Sequence, residues 1–247
     1  ACVDAKTAAH ALIIAKEPLI ISGHAPAGET FRQMGANYTA SLPDGGAAQA
    51  GQTVATVDGP ARALLTAERT ALNFLMHLSG IATHTAAVVA QAKGMPLVDT
   101  RKTAPLYRAL QKAAVVHGGA ENHRMALYDA VLIKENHICA AGGLAEAITK
   151  TRRRAGDLFL QVEVETLDQL KAALAAGVDG VLLDNMDDAT LREAVAITDG
   201  RALVEASGNM DAARVAALAD SGLDRISMGG LIHQARWVDL SMLHSDA

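Results

Sequence analysis

The feature that most constrains the fold is a regular alternation in the second half of the chain. Apolar runs with polar or glycine-containing ends are separated by helical segments. The runs are "MPLVDTRK", "DAVLIKEN", "LFLQVEVE", "GVLLDN", "RALVEASGN" and "DRISMGG". Strands that alternate with helices of this length form right-handed βαβ units and a parallel sheet. Successive units with no GxGxxG sequence after any strand favour an open or incomplete (α/β) barrel over a doubly wound dinucleotide-binding sheet.

The helical segments carry their own boundary signals. Thr166 and Asp187 are expected N-caps, because their side-chain oxygens can accept a hydrogen bond from an exposed helical N–H. Glycine, the residue that most readily adopts the left-handed conformation of a helix C-terminus, ends each of the segments "TLDQLKAALAAG", "DDATLREAVAITDG" and "MDAARVAALADSG". These signals predict three helices between strands.

Composition limits the class of protein. The 247 residues are 50% hydrophobic but only 3% aromatic, so aliphatic side chains and alanine must build the core. A net charge of −5 argues against general affinity for nucleic acid or for an anionic membrane. Cys2 and Cys139 give no disulfide framework. We expect no signal peptide and no apolar run near the roughly 18 residues of a membrane span, and therefore a soluble, cytoplasmic protein.

The first third of the chain is organised differently. "AHALIIAKEPLIISG" predicts strands around a turn, "AGETFRQMGAN" predicts a helix, and the glycine-rich stretch that follows predicts a hairpin. A long alanine-rich helix comes next, with an expected break near Ser79-Gly80. This pattern predicts an α/β sandwich ahead of the barrel.

The polar ends of the six runs locate a candidate site, because the active sites of such barrels lie at the C-terminal ends of the strands. Basic residues follow the first runs, acids follow the middle ones, and small residues follow the last two. The residues at these ends are Arg101, Lys102, Lys134, Glu163, Glu165, Asp184, Ser207-Gly208-Asn209 and Met228-Gly229-Gly230.

The residue types indicate the chemistry. The arginines and lysines at 101, 102, 124 and 134, with His123, suit several carboxylates or phosphates, since an arginine fork can hold a carboxylate by two hydrogen bonds. The small residues of the last two turns suit a terminal phosphate bound through backbone N–H groups. Glu163 and Asp184 could hold Mg²⁺ beside a pyrophosphate, or stabilise positive charge that develops on a sugar. The sequence therefore predicts a pocket for a polyanion, a phosphate and a metal ion.

Several stretches are similar to the quinolinate phosphoribosyltransferase family, in the right order and over nearly the whole chain. They are "GPARALLTAERTALNFLMHLSGIAT", "DTRKTAP", "ENHRMALYDAVLIKENH", "VEVET", "VLLDNM", "EASGN" and "ISMGG". The resemblance implies a type II phosphoribosyltransferase fold. Its N-terminal α/β sandwich domain would comprise residues 1–84 with 234–247, and its open (α/β) barrel residues 85–233. It also implies a homodimer in which the partner's N-terminal domain completes each site.

The resemblance also implies roles for individual residues. It assigns a dicarboxylate pocket to Thr100, Arg101, Lys102, His123, Arg124 and Lys134. Arg69 is expected to reach into the neighbouring subunit's site. Glu163 and Asp184 match acids near the ribose and Mg²⁺, and residues 207–209 and 228–230 match the loops around the 5′-phosphate. The implied reaction joins quinolinate to phosphoribosyl pyrophosphate and yields nicotinate mononucleotide, pyrophosphate and CO₂, on the de novo route to NAD.

Two other functions stay open at this point. One is a paralogue such as the molybdenum-transport-associated pyrophosphorylase-like proteins, with a different acceptor; such a protein would be expected to alter the dicarboxylate residues. The other is a non-catalytic protein that binds a pyridine carboxylate, which is favoured by "GGLIHQ" where the family commonly has "GALTHS". In that loop Ile232 and Gln234 replace hydroxyl residues. Compared with the family, we also expect most of an N-terminal helix to be missing, which would affect dimer contacts more than the barrel.

Overall fold

The structure, a computed structural model, describes residues 2–4 and 7–245. These residues divide into two compact units. The first contains the described residues up to 87 with 103–120 and 231–245, and the second contains 88–102 and 121–230. In chain order the elements are β1 (Ala8–Ala15), β2 (Leu19–Ile20), α1 (His24–Gln33), β3 (Asn37–Ala40), β4 (Ala47–Ala48), β5 (Thr53–Pro60), α2 (Ala61–Gln91), β6 (Leu97–Val98), α3 (Arg108–His117), β7 (Val131–Ile133), α4 (Glu135–Ala141), α5 (Leu144–Ala155), β8 (Leu160–Val164), α6 (Leu167–Ala175), β9 (Gly180–Asp184), α7 (Asp188–Thr198), β10 (Leu203–Ser207), α8 (Ala212–Ala217), β11 (Arg225–Ser227), α9 (Gly230–His233) and β12 (Leu240–Ser245).

The first unit is built on an antiparallel sheet whose described strands run in the order β12-β1-β5-β3. Apolar residues of β1 and β5 pack with Phe31 of α1 and with Leu64 and Leu75 of α2 in one core, where all three side chains are fully buried. Because β12 pairs with β1, the chain after His233 returns to this unit. The predicted strands, helix and hairpin of the first third are all present.

Residues 103–120 lie in the first unit, whereas the sequence prediction put them within the barrel domain. Gln111 of α3 explains this position. Its side-chain amide lies 2.9 Å from Nε2 of His77 on α2, and its oxygen accepts a hydrogen bond of 2.8 Å from the backbone N–H of Ala104. The hydroxyl of Ser22 also lies 2.8 Å from Nδ1 of His117, at the end of α3. These polar contacts hold α3 against α2 and against the segment that precedes α1.

The helix α2 runs without interruption through Ser79 and Gly80, so the predicted break is wrong. Both residues are small because other segments approach the helix there. The hydroxyl of Ser79 accepts a hydrogen bond of 2.9 Å from the backbone N–H of Ser22 and donates one of 3.1 Å to its carbonyl oxygen. A Cβ atom at position 80 would lie 2.1 Å from the carbonyl oxygen of Arg236. The Ser-Gly pair therefore marks close packing rather than a helix end.

The same helix contradicts the expectation that no apolar run is long enough for a membrane span. At 31 residues, with a mean hydropathy of 1.2 over an 18-residue window, α2 passes that test by length and composition. Half of this window is buried inside the protein. Leu64, Leu72 and Leu75 belong to the core of the first unit, so α2 is a core helix.

The second unit is a parallel sheet, as the sequence predicts. Its described strands have the order β6-β11-β10-β9-β8-β7, and every neighbouring pair is parallel. The central strands are buried on both faces, as expected when helices cover a parallel sheet. β6 and β7 lie at the two ends of this order, so the sheet is open between them within the described part of the chain. All strands point the same way, and their carboxyl ends share one edge.

The helix boundaries test the capping signals. Thr166 caps α6 by accepting a hydrogen bond of 3.2 Å from the N–H of Gln169, and Asp187 caps α7 by accepting one of 2.8 Å from Thr190. Both predicted caps are confirmed. The predicted end of the third helix at Gly222 is wrong, because α8 stops at Ala217 and the hydroxyl of Ser221 donates to the carbonyl of Leu218 in the turn that follows.

Candidate active site

One cavity lies at the carboxyl ends of the parallel strands. Each described strand of the sheet contributes a residue to its wall or is followed by one that does. Its volume of about 580 Å³ falls in the range of small-molecule sites. The cavity is lined by Thr100, Arg101, Lys102, His123, Arg124, Leu132, Lys134, Glu163, Leu182, Asp184, Asn185, Glu205, Ser207, Gly208, Asn209 and Ser227. Most of the residues predicted from the sequence are therefore brought together.

The positive side chains come from the two ends of the strand order and from the segment that connects them in the chain. Arg101 and Lys102 follow β6, Lys134 follows β7, and Arg124 lies in the segment between them. Burial, and then the neighbouring charge of Arg101, lower the pKa of the Arg124 guanidinium, while Asp129 opposes this effect. Two cations that repel each other beside a cavity are stabilised when an anion binds between them. A second cavity of about 500 Å³ shares Arg101, Arg124 and Lys134 with the first.

Main-chain contacts hold the segment that carries His123 and Arg124. Asp99, fully buried just after β6, accepts a hydrogen bond of 2.9 Å from the backbone N–H of His123. The backbone N–H of Arg124 donates to Nδ1 of His123 at 2.7 Å, and Nη1 of Arg124 donates to the carbonyl of Ala130 at 2.9 Å. The Arg124 guanidinium is thus supported at one nitrogen and keeps other donors for a ligand.

The two predicted acids come from adjacent strands. Glu163 lies on β8, and its carboxylate accepts a hydrogen bond from Nζ of Lys134 in an ion pair. Asp184 ends β9, and its carboxylate accepts a hydrogen bond of 2.8 Å from the side-chain amide of Asn185. Both carboxylates border the same cavity as the cations, so the site holds both signs of charge.

The donor set fits a magnesium ion of the kind that is shared with a substrate. Within residues 2–4 and 7–245, no group of three or more His, Cys, Asp or Glu side chains is arranged to hold a metal. Mg²⁺ is commonly bound by only one or two carboxylates, with waters and substrate phosphates as its other ligands. Glu163 and Asp184 supply that number of carboxylates in one cavity.

The turn after β10 has the form expected of a phosphate loop. Gly208 has a φ of 92°, and a Cβ there would lie 2.2 Å from Oδ1 of Asn185, so glycine is required. The amide of Asn209 donates to the same Oδ1 at 3.0 Å, and Nη1 of Arg214 donates to the carbonyl of Gly208 at 3.0 Å. These contacts fix the turn beside Asp184, whose strand position is directly opposite Ser207.

The predicted turn after β11 contributes less to the cavity wall than the turn after β10. Met228, Gly229 and Gly230 do not line the described cavity, although Ser227 immediately before them does. Met228 is 3% exposed and Ile232 is 4% exposed, so both side chains are core residues. The helices after the two turns, α8 and α9, have six and four residues, and Asp211 caps α8. Helices this short contribute little to phosphate binding through their N-termini. The backbone N–H groups of the turns would be the main donors to a phosphate.

Arg69 is the one predicted arginine in the first unit. It lies on α2 with an exposed side chain and does not line the cavity described above. Its predicted role concerns a neighbouring subunit and stays a prediction.

Sequence reasoning missed several residues of the cavity wall. They are Leu132, Leu182, Asn185, Glu205 and Ser227. Glu205 had a detectable signal, since an acid between Val204 and Ala206 in an apolar strand run predicts a buried carboxylate with specific partners. Which residues those partners are does not follow from the run itself.

Residues 1–79 match the family described as "Quinolinate phosphoribosyl transferase, N-terminal domain", and residues 81–243 match the C-terminal domain of the same family. The chain is 41% identical over 251 residues to the nicotinate-nucleotide pyrophosphorylase [carboxylating] of Mycobacterium leprae, covering 98% of this chain and 88% of that protein. It is 40% identical over 235 residues to a probable enzyme of the same name from Bacillus subtilis, covering 93% of this chain and 81% of that protein.

Solved structures agree with this assignment. The nicotinate-nucleotide pyrophosphorylase from Francisella tularensis superimposes with a TM-score of 0.93 at 40% identity, covering 97% of this chain and 87% of that one. The enzyme of the same name from Ehrlichia chaffeensis gives a TM-score of 0.94 at 31% identity, covering 99% and 90%. Both domain families, in order and over nearly the full length, are present in one chain with one fold. The chain therefore belongs to the quinolinate phosphoribosyltransferase family.

Proposed function

We propose that this protein transfers the phosphoribosyl group of phosphoribosyl pyrophosphate to quinolinate and releases pyrophosphate and CO₂. The product is nicotinate mononucleotide, a precursor of NAD. One observation carries the proposal: four cationic side chains, three carboxylates and a glycine-dependent loop border a single cavity in a chain of this family.

The cationic side of the cavity suits the two adjacent carboxylates of quinolinate. Arg124, whose pKa is lowered by burial and by Arg101, gains most from a bound dianion. Arg101 and Lys102 are exposed at the same wall and add charge without a large desolvation cost. Binding by several cations orients the pyridine nitrogen toward the sugar and lowers the entropic cost of the bimolecular step.

The acidic side suits the sugar. As the bond between C1 and pyrophosphate breaks, positive charge develops on the ribose, and a carboxylate nearby stabilises it. Glu163 and Asp184 are the carboxylates in position along β8 and β9. The pyridine nitrogen then forms the bond to C1, while pyrophosphate leaves with the electron pair of the broken bond.

Decarboxylation needs no nucleophile from the protein. Once the ring nitrogen is bonded to C1 it is positively charged, and the adjacent ring carbon carries one carboxylate. The bond between that ring carbon and its carboxylate breaks, and CO₂ leaves. The electron pair stays on the ring carbon beside the positive nitrogen, and this carbon then takes up a proton. The role of the protein in this step is to hold the ring in the field of its charged residues.

We propose Mg²⁺ as the cofactor, held by Glu163 and Asp184 either directly or through bridging waters, since Mg²⁺ usually keeps several waters among its ligands. It would neutralise the charge of the pyrophosphate group. We further propose a homodimer that shares its sites through Arg69, and a cytoplasmic location. The exposed position of Arg69 on α2 leaves it accessible to a second subunit.

A single incubation tests the reaction. Purified protein is mixed with quinolinate, phosphoribosyl pyrophosphate and Mg²⁺, and nicotinate mononucleotide and pyrophosphate are quantified together. We expect equal amounts of both products, and none when nicotinate replaces quinolinate.

The controls separate failure of chemistry from failure of recognition. An Arg153→Ala variant, which loses an exposed arginine of α5 outside the cavity, should retain full activity. Quinolinate that binds in a parallel titration without turnover would contradict the proposed reaction and favour a binding protein. Absence of both binding and product would contradict the substrate as well.

A further inference from the structure

A buried acid that the reaction scheme does not use lies at the wall of the cavity. Glu205, on β10, is fully buried, and one carboxylate oxygen, Oε2, is shared by three donors. Nε of Arg225 lies at 2.7 Å, Nε2 of Gln161 at 3.0 Å and Nε2 of His123 at 3.3 Å. The other oxygen, Oε1, has no hydrogen-bond partner among the described residues.

These contacts define the proton positions on His123. Nδ1 of the ring accepts a hydrogen bond of 2.7 Å from the backbone N–H of Arg124, so Nδ1 cannot itself carry a proton in this arrangement. Nε2 lies beside a carboxylate oxygen, which can only accept. The ring is therefore the neutral tautomer with its proton on Nε2, assigned from its hydrogen-bond partners. His123 acts as a link between the Glu205 carboxylate and the Arg124 main chain.

The carboxylate is ionised at neutral pH. Burial by itself raises the pKa of Glu205, but the hydrogen bond from His123, the permanent charge of Arg225 and the hydrogen bond from Gln161 oppose burial and keep the pKa below its usual value. An ionised acceptor holds a ring N–H more firmly than a neutral one.

We propose that Glu205 is a positioning residue for the dicarboxylate pocket. It fixes the ring of His123, and the ring in turn fixes the Arg124 main chain from which the substrate-binding guanidinium extends. This inference rests on the proposed function, since it assumes that Arg124 binds quinolinate. It predicts that loss of the Glu205 charge weakens quinolinate binding while phosphoribosyl pyrophosphate binding is maintained.

A purely structural role is the competing explanation, because Glu205 also pairs with Arg225 across β10 and β11. Asp179 offers a matched control. Its carboxylate likewise pairs with an arginine, Nη2 of Arg152 at 2.9 Å, and accepts a backbone hydrogen bond of 2.7 Å from Leu160. Asp179 precedes β9, at the opposite end of the strand from Asp184, and does not line the cavity.

The test compares Glu205→Gln with Asp179→Asn and the unaltered protein in steady-state kinetics with each substrate varied. Glu205→Gln keeps the volume and removes the charge. We expect a rise of about tenfold or more in KM for quinolinate and a change of less than about threefold in KM for phosphoribosyl pyrophosphate. Asp179→Asn should change neither. Equal increases in both KM values for Glu205→Gln, or no increase in either, would overturn the proposal.

A spectroscopic measurement keeps the inference testable if Glu205→Gln does not fold. A long-range ¹H–¹⁵N correlation spectrum of the unaltered protein reports which ring nitrogen of His123 carries the proton, with the signal assigned by its absence in His123→Gln. We expect the Nε2–H tautomer; a proton on Nδ1 would overturn the proposal. If the unaltered protein forms no nicotinate mononucleotide, the proposed function fails. If it forms product and the spectrum shows a proton on Nδ1, only this inference fails.

Discussion

Lys134 and Glu163, the last residue before α4 and a residue of β8, form an ion pair inside the candidate active site. The cation assigned to the dicarboxylate pocket thus contacts an acid assigned to the ribose and metal. In the absence of ligand each charge compensates the other, and neither is left alone at the cavity wall. A substrate that binds to one of them changes the environment of the other.

Glu163→Gln separates these two functions. Loss of the carboxylate should lower kcat on the order of 100-fold, because charge on the ribosyl transition state is no longer stabilised. Quinolinate affinity should not fall, since Lys134 is released for the anion. Kinetics and a quinolinate titration check this, with Glu165→Gln, an exposed acid outside the cavity, as the control. Weaker quinolinate binding in Glu163→Gln would contradict the assignment.

Arg124→Ala should affect the two substrates unequally. Quinolinate affinity should fall about 10- to 100-fold, while phosphoribosyl pyrophosphate affinity changes by less than about threefold, because the lost guanidinium faces a carboxylate. Arg124→Lys should recover only part of the loss, since an ammonium cannot form two parallel hydrogen bonds. Separate binding titrations measure the loss of affinity for each substrate. Equal losses for both substrates would refute the role of Arg124.

Mixed dimers test whether subunits share sites. Arg69→Ala and Arg101→Ala should each abolish most activity alone. In a mixed dimer one site would hold both native arginines, so random assortment should restore about a quarter of the full activity. Unfolding each variant separately and refolding the two together, followed by the product assay, measures this. No recovery in the mixture would indicate that each chain works by itself.

Gly80→Ala is a test of packing in the first unit. Inside a helix this change ordinarily stabilises by about 1 kcal/mol. Here the new Cβ would lie 2.1 Å from the Arg236 carbonyl oxygen, so we expect destabilisation by about 1–3 kcal/mol instead. Urea unfolding of Gly80→Ala and of the unaltered protein shows whether the substitution lowers or raises the free energy of unfolding. Gly28→Ala in α1, whose new Cβ would meet only the Tyr38 ring at 3.2 Å, should cost less and serves as the control.

The pH dependence of stability should report the Glu205 network. The pKa of Glu205 is lowered from 4.5 to about 2 in the folded protein, so its contribution is present above the unfolded value and is lost as pH falls through the folded one. Urea unfolding of the unaltered protein and of Glu205→Gln should differ most at neutral pH and converge toward about pH 2. A difference that stays constant with pH would contradict this view of Glu205.

The amino-acid sequence by itself determined the local structure of the second unit. The six apolar runs became the six described strands, and Thr166 and Asp187 cap their helices, because side-chain period and capping depend on residues only a few positions apart. The site residues at the strand ends could be predicted for the same reason. In a parallel sheet all carboxyl ends meet at one edge, so position within a strand already indicates position in the site.

The tertiary structure decided what depends on distant partners. The carboxylate of Glu205 is recognisable in its strand, but its contact with Gln161, 44 residues away, is created only when β8, β9 and β10 align. The tautomer of His123 follows from that arrangement. Likewise, Ser79 and Gly80 resemble a helix break until Ser22 and Arg236 pack against them. A small or polar residue has the same local signature in a turn and in a close contact, and only the neighbours that folding brings to it distinguish the two.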